Sequence, residues 1–193
     1  CYDANTINGK LIFHEIDGDE EFETLLGKKI TLTGKNPVFS LNNEVINLAG
    51  VVGGKSTSCS VNTKTVIVEC AFFQPEAIIG KSVKYDIQSE ASHKFERGVD
   101  PDCHDRVLRR FIKLVSEHAN IKDMSIISYK SKDNPITQIP VNVSKINQII
   151  GINISEKEYL NYLSKLGFVV EEGFIKVPSF RSDVKTQNDL AEE

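Results

Sequence analysis

Glu69 stands inside the run Val66-Ile67-Val68-Glu69-Cys70-Ala71-Phe72-Phe73. A carboxylate in such surroundings must find a partner or a ligand, because burying an uncompensated charge is costly. Two structural alternatives stand beside a ligand-reading role: the exposed face of an edge strand, or an ion pair with Arg97. The pattern alone leaves these open. Downstream lies the polar turn Ser89-Glu90-Ala91-Ser92-His93, so that residues 65–100 read as the floor and rim of a pocket. A second group of chemistry-bearing residues closes the chain: Asp183, Asp189, Glu192 and Glu193. On a helix starting near Asn188, positions 189, 192 and 193 share one face. Three carboxylates converging there suit a hard cation such as Mg²⁺, although composition alone favours a solvated acidic helix end.

Other constellations carry less. Residues 49–56, Ala-Gly-Val-Val-Gly-Gly-Lys-Ser, resemble a phosphate loop. Ala49, however, occupies the place of its first glycine, and the residues after Lys55 lack the apolar period of a helix that could receive a phosphate. The segment reads better as a glycine turn that faces a ligand or lets backbone approach a neighbour. The histidines at 14, 93, 104 and 118 share no metal-ligand spacing. No serine occupies a Gly-x-Ser-x-Gly elbow, which removes the usual nucleophile of a serine hydrolase.

The elements that must position these residues indicate an α+β fold. Residues 10–16 alternate as a strand, and 18–29 form a polar connection in which the spacing of Phe22, Leu25 and Leu26 allows one helical turn. Short β-prone pieces at 30–33, 38–41 and 45–48, divided by Gly-Lys-Asn-Pro and Asn-Asn turn signals, predict a meander. The run from Val66 to Cys70 is a further β-rich stretch, and Pro75 breaks the chain into two short amphipathic segments. Asp100-Pro101 marks a helix start, followed by an apolar stripe from Val107 to Ala119 whose other side carries Arg106, Arg109, Arg110 and Lys113. That basic face could touch RNA or simply meet solvent. Residues 123–132 read as a last strand, and a polar, Pro-containing linker then places a domain boundary near Asn134. Beyond it come a helix at 144–150 closed by Gly151, a capping box Ser155-Glu158 opening a second helix, and a hairpin around Glu171-Glu172-Gly173. Helix, helix and two-stranded wing is a winged-helix-like plan.

Bulk properties bound the function. The formal charge of −4 argues against a broad nucleic-acid-gripping face. No apolar run approaches a membrane span and no signal sequence is visible. The four scattered cysteines make neither a disulfide framework nor a zinc knuckle, so a reduced, cytoplasmic setting is expected. The termini read as those of a piece of a longer chain, its final module truncated at the C-terminal end.

The segments Asn-Leu-Ala-Gly-Val-Val-Gly-Gly, Val-Ile-Val-Glu-Cys-Ala-Phe-Phe-Gln-Pro-Glu-Ala-Ile and Ser-Glu-Ala-Ser-His-Lys-Phe-Glu-Arg-Gly-Val-Asp-Pro resemble the editing-domain signature of the bacterial phenylalanine–tRNA ligase beta subunit. Ile149-Ile150-Gly151, Leu166-Gly167-Phe168 and residues 177–193 are similar to the module that follows it. The resemblance implies an editing domain over 1–134 and a winged-helix-like module over 135–193. It implies hydrolysis of tyrosine wrongly attached to tRNA(Phe), an alpha-subunit partner in a heterotetramer of two alpha and two beta chains, and no membrane. It further implies that Glu69 contacts the tyrosine moiety, that Gly53 lines the pocket, and that Ala91 leaves room for the ring beside Ser89. Asp183, Asp189, Glu192 and Glu193 fall at the family's Mg²⁺ positions, while ATP is used by the full enzyme and not bound here. One departure concerns a functional His that the family carries just before an Ala-Phe-Asp-like tripeptide. The corresponding residues here are Cys1-Tyr2-Asp3, so that His lies outside the sequence, and no residue is an obvious general base. The competing expectations are a non-catalytic scaffold that binds tRNA or the partner subunit, and a nucleic-acid-binding winged helix at 137–193.

Overall fold

The structure, a computed structural model, describes residues 1–130 and 133–193. It is α+β, as expected, and divides into two compact units, Cys1–Val99 and Asp100–Glu193. No helix among the described residues is long and apolar enough to cross a membrane.

The first unit contains β1 (Tyr2–Asp3), β2 (Leu11–Asp17), β3 (Glu20–Glu23), β4 (Lys29–Leu32), β5 (Lys35–Leu41), β6 (Glu44–Leu48), β7 (Val52–Gly53) and β8 (Val66–Ile67), then α1 (Pro75–Ile78), α2 (Lys81–Tyr85) and α3 (Glu90–Glu96). Strands β2, β5, β6 and β7 form one antiparallel sheet in that order. The β5–β6 turn falls at Asn42 and Asn43, whose φ values of 51° and 75° suit the left-handed hairpin turn that asparagine tolerates. The pairs Phe39↔Asn47 and Ser40↔Val45 skip Ile46. This bulge lets the consecutive residues Val45 and Ile46 both be buried, against strict alternation. Phe22, Leu32, Val38, Leu48, Val51, Phe73, Ile78 and Ile87 belong to the core. Each such side chain contributes roughly 1.5–3 kcal/mol on burial.

Residues 18–29 do not contain the expected helical turn. β3 and β4 form a hairpin instead, with Phe22 opposite Ile30, because Gly27 at φ 78° supplies the reversal and the pairing buries Phe22 while Leu25 and Leu26 stay exposed. The β-rich run at 66–70 is strand only at Val66–Ile67, since its ladder partner among the described residues is the two-residue β1.

The second unit contains α4 (His104–Ser116), β9 (Gln138–Pro140), α5 (Val143–Ile150), α6 (Glu156–Lys165), β10 (Val169–Glu171), β11 (Phe174–Lys176) and α7 (Gln187–Glu192). Helix α4 starts three residues later than Asp100-Pro101 suggests. The Asp100 carboxylate accepts from the Asp102 amide at 3.0 Å, which folds those residues into a turn of their own. The capping box predicted at Ser155 and Glu158 forms, and Gly151 closes α5 in the left-handed conformation at φ 75°. The wing β10–β11 gains β9 as a third strand, and Ile139, Ile146, Leu163, Phe168, Ile175 and Leu190 fill the core of this winged-helix-like module. The strand expected at 123–132 does not form over 123–130; residues 131 and 132 lie outside the described ones. Among the described residues no strand pairs with that stretch, and Ile127 and Tyr129 are 94% and 90% exposed.

Candidate functional site

The half-buried Glu69 follows β8, and its partner comes from the strand that β8 pairs with. Tyr2 lies opposite Ile67, and its phenol donates a 2.6 Å hydrogen bond to Glu69 Oε2. The Asn47 carboxamide donates to Tyr2 Oη at 2.6 Å and to the same Glu69 oxygen at 3.3 Å. The ion pair with Arg97 raised from sequence is not realised, because Arg97 instead contacts the ring and carbonyl of His93; Glu69 lies past the end of β8 and is half-buried rather than exposed on it. Burial pushes the Glu69 carboxyl above the usual carboxylate range, and the Tyr2 hydrogen bond only partly offsets it. The Tyr2 phenol is pushed up as well, first by burial and then by the neighbouring carboxylate. Sequence reasoning had singled out neither Tyr2 nor Asn47. Asn47 did carry a signal, as the one polar residue between Val45-Ile46 and Leu48-Ala49.

Asn47 also pairs with Gly53 across β6 and β7, which places the predicted Gly53 next to the residue that donates to Glu69. Tyr2, Leu25, Asn47, Gly53, Gly54 and Thr57 contribute to the wall of a cleft of about 340 Å³. Glu69 is not part of that wall, although it accepts hydrogen bonds from two residues that are. The two glycines differ. A Cβ on Gly54 would sit 2.6 Å from the Ile46 carbonyl oxygen, whereas one on Gly53 would meet nothing within 4 Å. The glycine turn therefore serves close backbone approach at one position and leaves open space at the next.

Ser89 has a different local task. Its hydroxyl donates to the Val51 carbonyl at 2.6 Å and accepts from the Ser92 amide at 3.0 Å. It thus caps α3 and ties that helix to the turn leading into Gly53. Phe95 on α3 packs against Phe73 at 5.1 Å between centroids, which fixes the helix from its other end. Ser89 borders a second hollow of about 480 Å³ with Ser92, His93 and Arg97, and Ala91 is exposed on α3. Gly53, Glu69 and Ser89 are therefore linked through short hydrogen-bonded paths, but they do not share one concavity.

The carboxylates at the end of the chain are already engaged. Arg181 spans Asp183, at 2.7 Å, and Glu193, and the guanidinium holds both carboxyls below their usual range. Asp189 accepts from the Lys185 and Thr186 amides at 2.9 and 2.8 Å and completes the capping box of α7. Glu192 is exposed. No group of three or more metal-ligating side chains comes together among the described residues. As arranged, these side chains do not fit Mg²⁺, because a guanidinium and two backbone amides hold the oxygens a metal would need. On α4, Arg109 pairs with Asp105 at 2.7 Å and Arg106 with Asp100 at 3.5 Å, which spends part of the basic face.

Comparison with known proteins adds a family. The B3/4 domain model matches residues 1–120 and the tRNA synthetase B5 domain model matches residues 139–193. The chain belongs to the B3/4 domain family. Its resemblance to phenylalanine–tRNA ligase beta subunits, noted from the sequence, is borne out. The beta subunit of Ehrlichia canis is 34% identical over 200 residues, covering 100% of this chain and 25% of that protein. That of Methylococcus capsulatus is 32% identical over 199 residues, with the same coverage of 100% and 25%. The chain thus spans about a quarter of the length of the curated relatives it matches. A crystal structure of an N-terminal fragment of the phenylalanyl-tRNA synthetase beta subunit from Pyrococcus horikoshii aligns with a TM-score of 0.46 at 14% identity, covering 99% of this chain and 56% of that one.

Proposed function

We propose that this B3/4 and B5 pair serves phenylalanyl-tRNA synthesis as part of a phenylalanine–tRNA ligase beta subunit, and that residues 1–134 remove tyrosine wrongly attached to tRNA(Phe). The need is physical: a pocket built for phenylalanine cannot strongly reject a ring that merely adds a hydroxyl, so a second, hydrolytic site must correct the error. One observation carries the reading: Glu69, half-buried and flanked by apolar residues in sequence, accepts a phenolic hydrogen bond at 2.6 Å. A buried acceptor that a phenol satisfies and a phenyl ring leaves unpaired separates the two by roughly 1–3 kcal/mol. In this reading water attacks the ester carbonyl, the bond to the terminal ribose oxygen breaks, and tyrosine and tRNA leave, with backbone amides holding the oxyanion. Gly53 lines the approach, Ser89 fixes α3, and Ala91 keeps the helix surface small. Attachment of phenylalanine, with its ATP and Mg²⁺, belongs to the assembled cytoplasmic enzyme and its alpha partner. Residues 135–193 act as a docking module in that assembly.

The test is deacylation of Tyr-tRNA(Phe) by the assembled two-subunit enzyme. Glu69→Ala should slow tyrosine release about tenfold or more while leaving aminoacylation intact. Unchanged release would remove Glu69 from the site.

A further inference from the structure

The hydroxyl that satisfies Glu69 belongs to the chain itself. Tyr2 is 4% exposed and is clamped on several sides. Its strand pairs with β8, the following Asp3 amide donates to the Thr57 carbonyl at 2.9 Å, and the Asp3 carboxylate accepts from Thr63 Oγ1 at 2.6 Å. The phenol, the Asn47 carboxamide and the carboxylate close a three-membered hydrogen-bonded set, with Tyr2 and Asn47 on the cleft wall. A ligand phenol that takes the place of Tyr2 on the Glu69 oxygen must displace the Tyr2 hydroxyl from it.

We infer that Tyr2 is an internal latch, a built-in phenol that holds the Glu69 acceptor until a ligand's phenol takes its place. The inference rests on the proposed reading of Glu69 and adds a separable consequence. In the wild type, a tyrosyl ligand exchanges one phenol for another, whereas a phenylalanyl ligand displaces Tyr2 and leaves the carboxylate with only the longer Asn47 contact. Without the Tyr2 hydroxyl, the acceptor starts with that contact alone, so a tyrosyl ligand gains a bond and a phenylalanyl ligand loses none. Both affinities rise by one factor and their ratio stays fixed. Tyr2 therefore sets absolute affinity, and Glu69 sets selectivity. A residue of merely structural importance would not divide the two quantities in this way.

The experiment measures binding of non-hydrolysable amide-linked tyrosyl-adenosine and phenylalanyl-adenosine to the chain by calorimetry. The variants are Tyr2→Phe, Glu69→Ala and the double variant. Tyr2→Phe keeps the ring, and therefore the packing. It should tighten both probes about tenfold at constant selectivity, and it should do nothing in the Glu69→Ala background. Selectivity lost in Glu69→Ala with no effect of Tyr2→Phe would overturn the latch while leaving the Glu69 reading intact. Selectivity retained in Glu69→Ala would overturn both. Weaker binding of the tyrosyl probe alone to Tyr2→Phe would make Tyr2 part of the recognition wall and overturn the latch, as would absence of binding by both wild type and Tyr2→Phe. An independent readout needs no variant. In wild-type protein with ring-labelled tyrosine, the Tyr2 resonances should shift to those of an exposed ring on saturation with the tyrosyl probe. A ring that stays in place in the bound state overturns the inference.

Discussion

Glu69 meets a phenol and a carboxamide, both uncharged, whereas Glu193 meets the guanidinium of Arg181, which also holds Asp183. The two carboxylates titrate in opposite directions for that reason. Burial outweighs the favourable contacts and raises Glu69, to which no cation is hydrogen-bonded, and ion pairing lowers Glu193 and Asp183. The first unit holds a carboxylate whose needs are met only by hydroxyl and amide donors, an arrangement that costs stability and leaves the oxygen exchangeable. The second unit spends its carboxylates on structure: an Arg-centred bridge and a helix cap. A cluster of acids is thus by itself a poor guide to a metal site.

The largest expected effect comes from removing the cation. Arg181→Met leaves Asp183 and Glu193 facing each other without a counter-charge. It should destabilise the second unit by about 1–2 kcal/mol, a figure already reduced for the exposure of Asp183. Hydrogen exchange of α7 amides would measure it. The same variant should raise Mg²⁺ affinity, since the oxygens become available. If both quantities stayed put, the view that Arg181 holds the cation position would fall.

A smaller and sharper test applies one chemical change to both units. Glu69→Gln retains a hydrogen-bond acceptor and removes a desolvated charge, so it should stabilise the first unit at neutral pH by on the order of 1 kcal/mol. Glu193→Gln should destabilise the second by less than about 1 kcal/mol. Their pH dependences have opposite signs. The Glu69 carboxyl binds its proton more tightly when folded than its ordinary value of 4.5. Its folded state therefore holds more protons, and wild-type stability falls as pH rises through that window. The advantage of Glu69→Gln should grow from pH 4.5 upward until the folded carboxyl is fully ionised. Glu193 is lowered from the same 4.5, so its contribution is complete above that value and is lost as pH falls through the folded value. The defect of Glu193→Gln should therefore vanish in acid. Denaturant unfolding followed per unit across pH would decide it, and slopes of equal sign would break the contrast.

The smallest stability effect is expected at Gly53. Open space surrounds a Cβ there, so Gly53→Ala should change stability by less than about 0.5 kcal/mol. A loss of tyrosyl-adenosine binding in that folded variant would then report contact with ligand rather than a damaged fold.

Much of this was legible in the sequence, and the failures share a cause. The capping box at Ser155 and Glu158, the glycine helix end at Gly151 and the Asn-Asn turn are local signals, and they appear where the residues place them. Glu69 announced itself because its neighbours are apolar. What escaped depends on contacts distant along the chain. The partner of Glu69 lies 67 residues away, and no spacing rule reaches Tyr2. The hairpin at 20–32 was missed because Phe22, Leu25 and Leu26 suit a helical turn, and pairing with 29–32 outweighs that local preference. The acidic face at 189–193 was read correctly as helix. Its oxygens were committed to Arg181 and to backbone amides, which the pattern of acids alone does not encode.

The unpaired stretch at 124–129, Met-Ser-Ile-Ile-Ser-Tyr, has a bearing on colloidal behaviour. It is β-prone, uncharged and free of proline, the composition of segments that stack into dry cross-β interfaces. Lys122, Asp123 and Lys130 flank it as gatekeepers, and Lys130 is held by Asp102 at 3.4 Å and Asp133 at 3.3 Å. The three charges oppose self-stacking of this hexapeptide, and that opposition weakens as salt screens them.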